Sequence, residues 1–161
     1  MGSGIMNKYI EAEIDNLINE GRLLETKQYI QHGSVSVYEH CVRVTELSLR
    51  LQKLLKISII RKELIRGALL HDYFLYDWHD SNNDHSVHGI THPKTALNNA
   101  SQDYSLTDVE KDIILHHMFP LTLIPPRHKE AWIVCVADKI CAMQETIEPY
   151  LKYLTERNSH S

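Results

Sequence analysis

No stretch of the 161-residue chain approaches the roughly 20 consecutive apolar residues that cross a bilayer, and no signal peptide is recognisable. A soluble, cytoplasmic protein is therefore expected, with no membrane partner. Cysteine is scarce: Cys41, Cys135 and Cys141 are odd in number and form no CxxC pair. That excludes a disulfide framework and fits small buried thiols in a reducing compartment. Cys135 and Cys141 also lie close enough to Asp138 to support it. Positive charge is not in excess either. A formal net charge of -4 gives no basic field, so a nucleic-acid polymer is not an expected partner. Sustained alternation with a period of two is missing, which argues against a sheet. Repeats, low-complexity tracts and linkers are missing too. One domain spanning 1–161 is expected, with Met1, Gly2, Ser3 and Gly4 as an expression scar or flexible start and 157–161 as a frayed tail.

What is present is helical periodicity and histidine, of which there are eleven. The spacing predicts helices over Met6–Glu20 and Leu23–Gln31, the second ending near Gly33. Ser36 and Glu39 form a capping box for a helix to Lys56, with His40, Val44, Leu47, Leu51 and Leu54 on one face. Ser58 can cap a helix running to about Tyr73, in which Leu64, Ala68 and His71 share a stripe. Thr91, His92 and Pro93 open the next helix, with Pro93 at its first position. Thr107 and Glu110 make a second capping box for a helix carrying Val109, Ile113, Ile114 and His117, which Pro120 ends. The last long helix begins at Arg127 and is kinked or restarted at Pro149. The architecture is all-α, one bundle of about seven helices.

Within this pattern, His71 and Asp72 stand at the end of an apolar run opened by the small Gly67 and Ala68. Neither group is stable in an apolar interior without a partner. Asp138 interrupts an apolar stripe, and adjacent Lys139 cannot face it on a helix. His40 lies on an inward face one turn from its helix start. His116 and His117 are adjacent, so a rotation of about 100° separates them. One of the two can ligate a metal while the other meets substrate or backbone, or both can flank a cluster. The 73–92 stretch lacks periodicity and reads as a binding loop in which Tyr76 and Trp78 can cover a substrate. Asp80, Asn82 and Asp84 do not complete a calcium loop, because His85 and Thr91 occupy the positions that need Gly and Glu.

The order His40, His71-Asp72, Asp138 resembles the HD-domain superfamily of metal-dependent phosphohydrolases, over a core of about 34–143. With His92 and the His116-His117 pair, it is similar to the extended pattern of two-metal members. The resemblance implies that His40, His71, Asp72 and Asp138 hold one metal. It also implies that Asp72 bridges and that His92 with His116 or His117 holds a second. HD-GYP phosphodiesterases carry a lysine where this chain has Leu75, and a Gly-Tyr-Pro segment where it has Met118, Phe119 and Pro120. Their cyclic-dinucleotide chemistry is not implied. The surroundings of Phe74–His79 and His88–Pro93 look like a compact group of bacterial HD hydrolases.

The expected activity is hydrolysis of a nucleotide or other small phosphate ester by a metal-activated water. Asp72 would bridge, and a metal-bound water or a free histidine such as His117 would protonate the leaving group. Mixed nitrogen and oxygen donors suit Fe, Mn, Zn, Co or Ni better than calcium, as one or two ions. Lys94, Arg43 and Lys139 are candidate phosphate contacts, with Arg66 and Arg127 as further cations. Alternatives are an HD-fold di-iron oxygenase and a non-catalytic metal- or nucleotide-binding module.

Overall fold

The computed structural model describes residues 7–77 and 88–158. Among them are six α-helices, one 3-10 helix and a two-stranded hairpin. None of the helices is long and apolar enough to cross a membrane. Expectations that rest on 1–4, on Trp78, His79 and the Asp80–His85 run, or on 159–161 lie outside the described residues.

Helix α1 (Lys8–Glu20) starts at Asn7, whose side chain accepts from Tyr9 N, and buries Ile10, Ile14 and Leu17. The 3-10 helix (Leu23–Gln28) follows, then β1 (Ile30–His32) antiparallel to β2 (Val35–Ser36). The predicted helix to Gln31 is thus cut short. Gly33, at φ +59°, takes the left-handed conformation that reverses the chain, which costs glycine little. The hairpin turns Gln31 inward, where it is buried.

Helix α2 (Val37–Leu55) has the predicted capping box, Ser36 and Glu39 bonding each other's backbone amides at 3.2 and 3.0 Å. Its buried face runs through His40, Cys41, Val44, Thr45 and Ser48, and Leu47 and Leu51 are half-buried against the core, so the predicted stripe holds as far as Leu51 and fails at Leu54, which is 76% exposed. The stripe repeats every seven residues. A straight helix drifts about 20° per heptad from such a repeat, so the stripe's far end turns away from the bundle.

Helix α3 (Arg61–Leu70) begins later than predicted and is not capped by Ser58. The Ile60 amide instead donates to Glu130 at the start of the last helix, at 2.9 Å. Every residue from Leu64 to Leu70 is buried. Arg66 is among them, bonded to Glu110 at 3.0 Å and therefore unavailable to a substrate phosphate. Helix α4 (His88–Asp103) starts a turn before the predicted opening and carries Pro93 internally. Helix α5 (Asp108–His116) shows the second capping box. Helix α6 (Lys129–Asn158) carries Pro149 internally and does not restart there.

Helix α2 packs between α3 and α6, while α5 packs against α3, α4 and α6. The core between them includes Ile10, Leu17, Val44, Leu64, Ile113 and Val134. Gly67 sets the α3–α5 approach. A Cβ there would lie 2.4 Å from Ile113 Cδ1 and 3.1 Å from its Cβ. Gly67→Ala should therefore destabilise the fold by about 1–3 kcal/mol in urea unfolding. Ile113→Val removes the nearest atom and should recover part of that loss in the double variant, while costing about 0.5–1.5 kcal/mol alone.

Candidate metal centre

Two helix ends place the central side chains. A helix leaves its last carbonyls without amide partners. His71 caps α3 and its Nδ1–H donates to the Ala68 carbonyl at 2.8 Å. His117 caps α5 and repeats the arrangement on Ile114, also at 2.8 Å. Each ring thus satisfies an orphan carbonyl, and its Nε2 is left as the lone-pair nitrogen directed away from the helix.

These nitrogens meet around Asp72. Its Oδ2 lies 3.4 Å from His71 Nε2 and 3.7 Å from His40 Nε2. Its Oδ1 lies 3.1 Å from His92 Nε2 and 3.4 Å from His117 Nε2. Asp138 Oδ1 completes the first side, 3.1 Å from His40 Nε2 and 3.6 Å from His71 Nε2. All six residues are buried. Two donor groups result, His40, His71, Asp72 and Asp138, and Asp72, His92 and His117, the atoms of each within 4.8 Å of one another. They share Asp72 through different oxygens.

The residues behind the donors are placed as firmly. His40 Nδ1–H donates to Glu145 at 2.8 Å, so its Nε2 also faces inward, where its proton bridges to Asp138 Oδ1 at 3.1 Å and would give way to a metal. Gln31 donates to Asp72 Oδ2 at 2.6 Å. Cys41 Sγ lies 3.7 Å from His71 Nδ1. The backbone just after Asp72 is held by Asn99, which donates to the Tyr73 and Phe74 carbonyls at 3.1 Å. Tyr73 in turn donates to Asp103 at 2.7 Å. Such outer contacts fix the tautomer and orientation of metal-ligating histidines.

The donor set fits a transition-metal cation. His71 Nε2 and Asp72 Oδ1 are fully buried and make no hydrogen bond. A buried polar atom left this way costs about 1–3 kcal/mol, and coordination would remove that cost. Imidazole and carboxylate together suit Fe, Mn, Zn, Co or Ni.

Of the other predicted residues, His116 faces elsewhere. Its Nδ1 bonds Asp112 at 2.6 Å, and it belongs to neither donor group. Asp112 also accepts the Arg127 and His128 amides at 2.9 and 2.7 Å, tying the α5–α6 loop down. His117 Nδ1–H donates to the Ile114 carbonyl, and its Nε2 lies 2.9 Å from His92 Nε2 and 3.4 Å from Asp72 Oδ1. Lys94 is exposed and two residues beyond buried His92, about 200° round the helix, so it points away from the cluster. Arg43 lies behind His40, 3.5 Å from Glu145, not among the donors. Lys139 donates to the His117 carbonyl at 2.7 Å and sits 3.9 Å from Asp138, the nearest of the predicted cations. Cys135 bonds the Phe119 carbonyl, and burial raises its thiol pKa and that of Cys141, the latter to about 11.

Glu145 and Gln31 escaped the sequence reading. Glu145 is seven residues from Asp138 and so on the same helical face, a spacing that could have revealed it. Gln31 lies in the hairpin that read as a helix end.

Without a cation, protons must hold this cluster together. Burial acts to lower the His40 pKa, but its hydrogen bonds to Asp138 and Glu145 outweigh that and raise it to about 10. Burial likewise opposes ionisation of Asp72, yet the His71, His117 and His92 imidazoles hold its pKa well below the usual range. His117 is lowered by burial. The sign follows for His40. A folded pKa above the unfolded value of 6.5 contributes stability that is complete below 6.5 and is lost as pH rises through about 10. Chelator-treated protein should therefore melt at progressively lower temperature across that window. Metal-loaded protein, in which the ion replaces the protons, should show a flatter profile by scanning calorimetry.

A family model for the HD domain matches residues 37–143, the span from the first turn of α2 into the middle of α6. No curated protein and no solved structure matches the chain. The matched span contains all six clustered residues, in the order and spacing that place them on five elements around Asp72. The chain belongs to the HD domain family, whose members are typically metal-dependent hydrolases.

Proposed function

We propose that this protein hydrolyses a small phosphate ester, a nucleotide among the candidates, with two divalent metals held on either side of Asp72. The observation that carries the reading is the division of the Asp72 carboxylate, Oδ2 toward one donor group and Oδ1 toward the other. In this assignment His40, His71, Asp72 and Asp138 hold the first ion, and Asp72, His92 and His117 the second. Two such ions, when bound, would supply a nucleophile at neutral pH and neutralise phosphoryl oxygens.

The protein's own groups do the rest. Neutral imidazoles dominate the donor set, so the pocket retains net positive charge for an anionic substrate. Lys139 adds a cation at its edge, with its stem and carbonyl contacts holding it in place. Glu145 and Gln31 keep His40 and Asp72 from rotating, so no donor has to be reoriented during turnover. Burial of the whole cluster excludes bulk water and strengthens each of these interactions.

Two measurements test this together. Elemental analysis of the purified protein should find up to two equivalents of a first-row metal, and a phosphate-ester screen with Fe, Mn, Zn, Co and Ni should find phosphate release. Asp72→Asn should lose the second equivalent and at least about a hundredfold in kcat/KM. Lys94→Ala should change kcat/KM by no more than about twofold, as expected for a solvated charge away from the site. A protein that binds no metal on titration, or that consumes oxygen without releasing phosphate, overturns the proposal.

A further inference from the structure

Helix α6 has two opposite faces. Asp138 and Glu145, seven residues apart, point inward to His40. About 160° round the helix lie Val136, Ile140, Met143, Ile147 and Tyr150, spaced four, three, four and three. Among the described residues the bundle leaves most of this stripe uncovered, with Ile140 half-buried. Val136, Met143, Ile147 and Tyr150 are 47, 63, 45 and 62% exposed. Alternating steps of three and four give a 3.5-residue period, the seam along which one helix packs on another. Contiguous apolar patches of this size are often functional surfaces.

We propose that this seam is the dimer interface of the protein, occupied by the same seam of a second copy running antiparallel about a two-fold axis beside residue 145. The pattern is self-complementary in that register. Ile140 then faces Tyr150 of the other copy and Met143 faces Ile147, each layer occurring twice by symmetry. Large aliphatic and aromatic side chains thus alternate along the contact without a polar residue in a core position. The residues flanking the axis are Gln144 and Thr146, both uncharged, so the two-fold brings no like charges together. Lys139 lies far from the axis and therefore from its own copy. Burying the exposed halves of these side chains removes on the order of 1,000 Å² in total, the lower bound for a specific interface and suited to a reversible dimer. The metal-facing side of α6 points the other way, so each copy keeps its own site open.

Sedimentation equilibrium of the metal-loaded full chain tests the assignment. The wild type should pass from monomer to dimer as concentration rises toward about 1 mM. Met143→Lys and Ile147→Glu should each be monomeric throughout, with phosphate-ester hydrolysis unchanged. An equimolar mixture of the two variants should recover the dimer. In the antiparallel register the introduced lysine of one copy meets the introduced glutamate of the other, and the second such layer keeps its native Ile and Met. That recovery also shows that both variants fold. A wild type that stays monomeric, single variants that still dimerise, or a mixture that stays monomeric overturns the proposal. A parallel seam fails the last test, because it pairs position 143 with itself.

Discussion

The structure depends on a fully buried carboxylate. Asp72 lies among apolar helix ends, where an isolated negative charge would be prohibitively costly. Its ionisation is sustained by imidazoles on both sides, and these come from four different helices. The fold therefore cannot form around Asp72 without bringing α2, α3, α4 and α5 to one point. The same geometry that relieves the buried charge also builds a pocket of lone pairs. Folding and the capacity to bind a cation are two consequences of one electrostatic requirement.

The precision of the pocket comes from the way helices end. At His71 and His117 the backbone needs a donor for a free carbonyl, and the imidazole Nδ1–H is that donor. The local need of each helix terminus sets the tautomer that metal chemistry needs. His40 lies inside a helix, where no carbonyl is free, and Glu145 takes over the same task from another element. Three histidines thus present Nε2 inward, two through helix-end carbonyls and one through a carboxylate on another helix, and none relies on the cation to orient it. This is preorganisation, and it lowers the entropy that metal binding would otherwise have to overcome.

Much of this was legible in the sequence because it rests on short-range patterns. The two capping boxes, Ser36 with Glu39 and Thr107 with Glu110, are each contained in four residues and appear as predicted. The His-Asp pair after a fully apolar run announced a buried polar site, and Asp138 in an apolar stripe announced a partner for it. What was not legible depends on tertiary choices. The start of α3 is decided by Glu130, distant by 70 residues, rather than by nearby Ser58. His116 and His117 are equivalent by local spacing. Asp112 separates them, accepting from His116 and from the α5–α6 loop, and leaves His117 to the cluster. Gln31 reaches Asp72 only because Gly33 reverses the chain, and helical periodicity in the preceding residues masked that turn.

Helix α6 shows how one period serves two purposes. A residue seven positions on returns to nearly the same face, so Asp138 and Glu145 can grip both nitrogens of one imidazole from a single helix. The same seven-residue recurrence on the opposite side leaves a continuous apolar seam. A shorter helix ending near Asp138 would have sufficed to supply the ligand, but not Glu145, and would have left His40 Nδ1 without a partner. The extra turns that orient the imidazole therefore also lengthen the apolar surface on the opposite side of the helix. Placement of a metal ligand and exposure of an apolar face are in this way coupled through the length of α6.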